Sequence, residues 1–244
     1  MAIVSALPEN FKIVVAEFPK SGGSWLSSML AMSLGIDVRD IYVNDDFKAF
    51  DISRHPWYEG SGSYGLTDSC VIKSHEMPDS ILHKLEAQFI HMVRDGRDVV
   101  ISKYFYEKDF CVKNRIIKEF DYTLDEYIEK TSKEWAEYVN SWETRNVITC
   151  KYENLLQDAL KELIKVFSLL NISVALETIK AVIEANTKEK FKKSLDKAFK
   201  YNTFVRKGIA GDWKNHFNDK HKAIFKRNAG ELLVKLGYEV NLEW

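Results

Sequence analysis

The chain has 244 residues, of which 45% are hydrophobic and 29% are charged, and its formal net charge is −1. This composition is typical of a globular protein and excludes both a disordered chain and a binder that attracts nucleic acid through overall positive charge. An anion site would therefore have to be local, formed by a few positioned lysines and arginines. The length suits one α/β domain over residues 1–244.

Neither the N-terminus nor the cysteines point to secretion or to a metal. The first ten residues lack a basic stretch followed by an apolar core, and no run approaches the roughly 20 apolar residues that span a bilayer. Cys70, Cys111 and Cys150 are far apart and lack the spacing of metal ligands. We expect a soluble, cytoplasmic protein with reduced cysteines, no metal and no membrane partner.

Four short β-rich runs predict the strands, and they lie at 12–18, 69–73, 88–93 and 146–151. Their nearly continuous apolar character is typical of strands that are buried on both faces. Apolar residues at helical spacing begin at Trp25 and recur at 124–142, 155–170 and 224–236. This alternation predicts a single α/β domain with a central parallel β-sheet flanked by helices.

Each predicted strand is followed by polar or charged residues. Lys20 follows the first strand, Lys73 and His75 the second, Arg94 the third and Tyr152 the fourth. In open parallel sheets, ligands bind outside the carboxyl ends of the strands. We therefore expect these four segments to bring functional groups to one edge.

The loop Pro19–Trp25 follows a strand and opens a helix, a context in which backbone N–H groups hold a phosphate. Gly22 and Gly23 allow the backbone to approach an anion closely, whereas Lys20 adds a positive charge. The alternative is a glycine-rich turn with a solvated lysine. A P-loop nucleotidase would place the lysine after the glycines, so the order found here argues against a nucleotide triphosphatase.

Three segments resemble the cytosolic sulfotransferase family. PKSGGSW at Pro19–Trp25 resembles the family's PKSGTTW loop and departs from it at Gly23 and Ser24. MVRDGRDVVISKYFY at 92–106 resembles the segment that binds a 3′-phosphate, with Arg94, Asp98 and Ser102 at matching positions. RKGIAGDWKNHF at 206–217 is similar to the family's C-terminal signature.

The resemblance implies a P-loop-like sulfotransferase fold and a donor, 3′-phosphoadenosine 5′-phosphosulfate (PAPS), that leaves as 3′,5′-bisphosphoadenosine (PAP). It implies that Trp25 stacks on the adenine, with Phe204 and Thr187 nearby. The implied donor-binding residues are Lys20, Ser21, Gly22, Gly23, Ser24, Trp25, Arg94, Ser102, Tyr152, Thr187, Phe204, Arg206, Lys207 and Gly208.

Sulfonate transfer requires a base for the acceptor and cations for the leaving oxygen. His75 lies in KSHEMP, which resembles the family's K-T-H-x-x-P segment, and histidine titrates in the range that a base needs. We assign His75 as general base, Lys20 as the residue that stabilises the leaving phosphate, and Lys73 as its helper.

The acceptor is less well defined by the sequence. Aromatic residues are frequent in 39–67 and 104–122, which suits a small-molecule pocket. Acids outnumber bases between residues 37 and 68, so a cationic acceptor is an alternative to a phenol or another alcohol, and both a hydroxyl and an amine remain open. Asn218, Asp219 and Ala223 depart from the family's dimer motif, which favours a monomer or a weak dimer.

Two other functions are alternatives to the predicted sulfotransferase activity. A P-loop-type small-molecule kinase would need metal-holding carboxylates and a lysine in Walker order. A non-catalytic nucleotide-binding module would not need His75 beside Lys73.

Overall fold

The computed structural model describes residues 7–40, 69–81, 85–196 and 206–244. Its strands form one sheet in the order β2-β3-β1-β4-β5, and every neighbouring pair is parallel. The strands are β1 Lys12–Glu17, β2 Asp37–Asp40, β3 Cys70–Ser74, β4 Gln88–Val93 and β5 Ile148–Lys151. The four predicted strands are confirmed with small shifts at their ends. The edge strand β2 was missed because its sequence, DVRD, has no apolar run.

Helices follow or connect the strands. They are α1 Gly23–Leu34, α2 Pro78–Ile81, α3 Gly96–Phe105, a π-helical turn at Tyr106–Cys111, α4 Leu124–Glu143, α5 Tyr152–Gln157, α6 Ala159–Leu169, α7 Leu176–Ala185, α8 Lys188–Asp196, a 3₁₀ turn at Asp212–Asn215 and α9 Asp219–Lys235. The continuous helix predicted over 155–170 was wrong. Asp158 is non-helical there, and its side chain accepts from the backbone N–H of Lys161 at 2.9 Å, which ends α5 and caps α6.

The two faces of the sheet are both covered, as successive residues of β1 show. Ile13 and Val15 pack with α1, α6 and α7, whereas Val14 and Ala16 pack on the opposite face with α3, α4 and α9. All four side chains are fully buried. The predicted α/β fold with helices on both sides of a parallel sheet is therefore confirmed. Within the described ranges, no helix is both long and apolar enough to cross a membrane.

The loops that matter for function leave the carboxyl edge of the sheet. The registers place Ala16 beside Ser74, Glu17 beside Met92 and Val93 beside Lys151, so these strands end at nearly the same level. Helices α1 and α3 begin within a few residues of β1 and β4, respectively. Their N-termini therefore lie at this edge, where backbone N–H groups favour negative charge.

His91 of β4 is a buried polar residue on the face that packs against α4. Its ring stacks on Trp142 with centroids 5.8 Å apart, and it is 0% exposed. Neither ring nitrogen has a hydrogen-bond partner among the residues that the structure describes. Burial lowers the pKa of His91 to about 3, so the folded protein holds this ring neutral.

His91 should therefore make the protein sensitive to acid. The unfolded chain takes up a proton near pH 6.5, but the folded chain does so only near pH 3, so stability is lost as the pH falls between these values. The expected slope from this group is about 1.4 kcal/mol per pH unit. Urea denaturation of His91→Phe between pH 7 and pH 4 should show a flatter dependence than the wild type, and parallel curves would contradict this account.

Candidate active site

One cavity lies at the carboxyl edge of the sheet, between the loop after β1 and the segment at 206–212. The predicted site residues that line it are Lys20, Gly22, Ser24, Trp25, Lys73, His75, Arg94, Ser102, Tyr152, Arg206, Lys207 and Gly208. Ser21 and Gly23 belong to the loop after β1, but they are buried and do not line the cavity. Thr187 is not among the lining residues, and Phe204 lies outside the described residues.

The loop after β1 has a conformation that requires glycine at residue 22. Gly22 has a φ of 102°, and a Cβ atom there would lie 2.6 Å from Cδ2 of Tyr152. Lys20 also adopts a positive φ, 77°, which is unusual for a residue with a side chain. The hydroxyl of Ser21 is buried and has no hydrogen-bond partner in the described part of the chain.

Glu17, the last residue of β1, was not predicted as a site residue. It is 2% exposed, it lines the cavity, and its Oε2 accepts from the backbone N–H of Gly23 at 2.5 Å. The available signal was indirect: a glutamate ends an apolar strand, and six residues later a glycine replaces a threonine of the family pattern.

Glu17 and Lys73 together define the state of His75. Nδ1 of His75 lies 2.9 Å from the backbone oxygen of Glu17, and its Nε2 lies 3.3 Å from Nζ of Lys73. A carbonyl oxygen can only accept, so Nδ1 carries the proton and Nε2 has the lone pair. Burial, followed by the charge of Lys73, holds the pKa of His75 well below its usual value. The imidazole is therefore neutral at neutral pH.

Lys20 is a cation in a site that disfavours its charge. Its Nζ lies 4.0 Å from the centroid of the Tyr106 ring, which begins the π-helical turn. Burial lowers the pKa of Lys20 to about 7, and the charges of Lys73 and Arg94 act in the same direction, whereas Glu17 opposes them.

Arg94 connects the two sides of the cavity. Its NH1 donates to the backbone oxygen of Lys20 at 3.1 Å, and its NH2 donates to that of Ile209 at 3.0 Å. Its guanidinium lies 4.5 Å from the ring centroid of Tyr152. Arg94 thus links the loop after β1 to the segment at 206–212, as well as lining the cavity between them.

Two carboxylates hold the segment at 206–212. Asp98, which is 1% exposed, accepts from the backbone N–H of Gly211 at 2.6 Å and of Trp213 at 2.9 Å. Asp212 pairs with Arg206 and lies 2.6 Å from Nζ of Lys207. Arg206 and Lys207, both predicted to bind the donor, therefore share one internal carboxylate in this structure.

These two carboxylates differ in their electrostatics. Burial raises the pKa of Asp98. Burial also acts to raise the pKa of Asp212, but hydrogen bonds from Lys207, Asn215 and Arg206 outweigh it and hold that pKa well below its usual range. Asp212 therefore stays ionised at neutral pH.

Trp25 is fixed by a residue next to the predicted Thr187. Its Nε1 donates to the backbone oxygen of Asn186 at 2.8 Å, and its ring lies edge-on to Tyr152 with centroids 6.2 Å apart. Thr187 accepts from the N–H of Lys190 at 3.4 Å at the start of α8. Lys188 and Phe191 of α8 line the cavity instead and were missed. The signal for Phe191 was its spacing of one helical turn after Thr187, and Lys188 directly follows Thr187.

Comparison with known proteins agrees with this geometry. Residues 11–237 match the family model described as the sulfotransferase domain. Human Sulfotransferase 2A1 is 24% identical over an alignment of 258 positions. This alignment covers 93% of this chain and 86% of the relative. The 3-alpha-hydroxysteroid sulfotransferase of Cavia porcellus is 28% identical over 241 residues, covering 88% and 80%.

Solved structures share the fold. Mouse sulfotransferase SULT7A1, complexed with PAP, superposes with a TM-score of 0.69 at 22% identity, covering 93% of this chain and 85% of that one. Retinol dehydratase, in complex with androsterone and inactive cofactor PAP, gives a TM-score of 0.68 at 17% identity, with coverage of 93% and 82%. The prediction of a sulfotransferase, rather than a kinase or a binding module, is confirmed. Because the family model spans nearly all of its length, the chain belongs to the sulfotransferase domain family and is a sulfotransferase enzyme.

Proposed function

We propose that this sulfotransferase transfers a sulfonate group from PAPS to a hydroxyl of a small-molecule acceptor. One observation carries the proposal: Lys20, Lys73 and His75 line the same cavity as Arg206 and Lys207. The proposed base and its two neighbouring lysines thus line one cavity together with a second pair of cations, Arg206 and Lys207. An acceptor amine is the alternative that the chemistry leaves open.

The residues of the cavity fit a donor with phosphates at both ends. PAPS supplies the sulfonate group and leaves as PAP. The loop 20–24 offers backbone N–H groups and a cation, and a side chain at Gly22 would collide with the ring of Tyr152, which also lines the cavity. Arg206 and Lys207 suit the 3′-phosphate, and the aromatic residues Trp25 and Phe191 suit the adenine.

In this proposal His75 accepts the proton of the acceptor hydroxyl at Nε2. The hydrogen bond from Nδ1 to the Glu17 carbonyl fixes the tautomer that leaves Nε2 unprotonated. The Nζ atom of Lys73 lies 3.3 Å from this same nitrogen. A donor anion that attracts Lys73 would free the lone pair, so we expect His75 to become a base when the donor is in place.

Lys20 and Lys73 act on the leaving side of the reaction. Both line the cavity beside His75, and a cation aimed at the oxygen where charge develops lowers the barrier. An anion beside Lys20 favours its protonated form, which offsets the effect of burial on its pKa. We therefore expect donor binding and protonation of Lys20 to be coupled.

We propose an apolar alcohol or phenol as the acceptor. Tyr106 lines the cavity, whereas Tyr104 and Phe110 of the same predicted acceptor segment are buried in the protein. The similar proteins include a hydroxysteroid sulfotransferase and a retinol dehydratase solved with retinol and PAP. Most of the acidic segment that suggested a cationic acceptor, 41–68, lies outside the described residues.

We also propose that the chain is one domain over 1–244 that works in the cytoplasm as a monomer or weak dimer. All three cysteines are buried thiols, which suits a reducing compartment. Asn218, Asp219 and Ala223 depart from the family's dimer motif, which supports a monomer or a weak dimer.

Substitution His75→Ala should abolish most turnover but leave donor binding intact. Positioned base catalysis contributes about 10²- to 10⁴-fold, so kcat should fall by that range. Turnover with labelled PAPS and an apolar alcohol measures the loss, and calorimetric titration with PAP provides the control. A variant that keeps wild-type kcat would remove His75 from the mechanism.

Substitution Arg206→Ala should weaken PAP binding about 10- to 100-fold, because a charge-assisted hydrogen bond to a phosphate contributes about 1.5–3 kcal/mol. The matched control is Arg145→Ala, since Arg145 forms an exposed ion pair with Asp79 and does not line the cavity. Both affinities are measured by calorimetry with PAP. Equal affinities of the two variants would contradict the proposed donor position.

A further inference from the structure

Glu17 is a buried carboxylate in a cavity that is also lined by Lys20, Lys73 and Arg94, a placement that needs a physical reason. It is 2% exposed at the end of β1 and lines the cavity beside Lys20 and Lys73. Burying a carboxylate costs several kcal/mol unless hydrogen bonds and opposite charges compensate it. One of its hydrogen bonds comes from the backbone N–H of Gly23, at 2.5 Å.

The carboxylate of Glu17 occupies the space that a side chain at residue 23 would need. A Cβ atom on Gly23 would lie 2.5 Å from Cδ of Glu17 and within 2.7 and 2.9 Å of its two carboxylate oxygens. Gly23 is also the first residue of α1, where glycine is a poorer helix former than alanine. The departure from the PKSGTTW pattern at residue 23 therefore follows from the carboxylate of Glu17.

Glu17 also offsets the charges around Lys20. The charged and titratable groups that face Lys20 are Glu17 itself, Lys73 from β3, His75 just after β3, Arg94 from the loop after β4, and Tyr106 and Cys111 from the π-helical turn. Burial, Lys73 and Arg94 lower the pKa of Lys20, while Glu17 and Cys111 raise it. The Cys111 thiol is neutral at neutral pH because burial raises its pKa. Glu17 is thus the carboxylate among these groups.

We propose that Glu17 is a positioning residue for sulfonate transfer, whose buried carboxylate offsets the cations that line the cavity beside it and fixes the start of α1 through Gly23. The inference rests on the proposed use of PAPS and Lys20. Glu17 then acts through its charge on the neighbouring cations as well as through its hydrogen bond to Gly23.

The charge role predicts a shift in the pH dependence of PAP binding. Wild-type affinity should fall as the pH rises through about 7, where Lys20 loses its proton. Glu17→Gln keeps the size of the side chain but removes the charge, so the midpoint should move down by about one pH unit. Relative to the wild type, the variant should then bind PAP about twofold more weakly at pH 6 and about tenfold more weakly at pH 8.

Calorimetric titration with PAP from pH 6 to pH 9 tests this shift, with Glu143→Gln as the matched control. Glu143 lies at the end of α4, pairs with Lys235 and does not line the cavity. An unmoved midpoint in Glu17→Gln would overturn the role of Glu17 and leave the donor assignment standing. Failure of the wild type to bind PAP at any pH would overturn the donor assignment and, with it, this role.

A double-mutant cycle tests the pairing with Gly23 independently of any ligand. Gly23→Ala alone should lower the urea midpoint of unfolding, because the new Cβ meets the carboxylate. In the Glu17→Ala background the same change should cost little or raise the midpoint, since alanine favours the helix. Equal losses in both backgrounds would overturn the pairing.

Discussion

The parallel sheet places Lys20, Lys73 and Arg94 around one cavity, where burial and neighbouring cations disfavour the charged form of Lys20. The structure opposes this effect with the carboxylate of Glu17 and with the face of the Tyr106 ring beneath Lys20. Arg94 donates to backbone carbonyls on both sides of the cavity. A bound anion would likewise favour the charged form of Lys20. These residues therefore arrange the cavity for an anionic donor.

The other end of the cavity is organised by carboxylates. Asp98 fixes the segment at 206–212 through two backbone N–H groups, and Asp212 holds the side chains of Arg206 and Lys207. A phosphate that binds these cations has to share them with Asp212, which stays ionised. The cations are therefore ordered in advance, and part of their attraction for a phosphate is already spent on an internal partner.

The sequence was sufficient where local patterns decide the structure. The apolar runs of β1, β3, β4 and β5, and the glycine loop after β1, specified the sheet and the edge at which the functional groups meet. It was insufficient where tertiary contacts decide. The polar strand β2 forms only by pairing with β3, and the role of Asp98 depends on Gly211 and Trp213, which are 113 and 115 residues away in the sequence. Thr187, the predicted neighbour of the adenine, does not line the cavity, whereas Phe191, one turn later on α8, does.

The central claim is that one cavity binds a donor that carries phosphates at both ends of an adenosine. Calorimetric titration of the wild-type chain with PAP, 5′-AMP and ATP under the same conditions tests it most directly. We predict that PAP binds at least about tenfold more tightly than 5′-AMP, because a single charge-assisted contact to the 3′-phosphate contributes about 1.5 kcal/mol or more. We predict that ATP, which lacks the 3′-phosphate, also binds more weakly than PAP. Equal affinities for PAP and 5′-AMP, or a preference for ATP, would contradict the account.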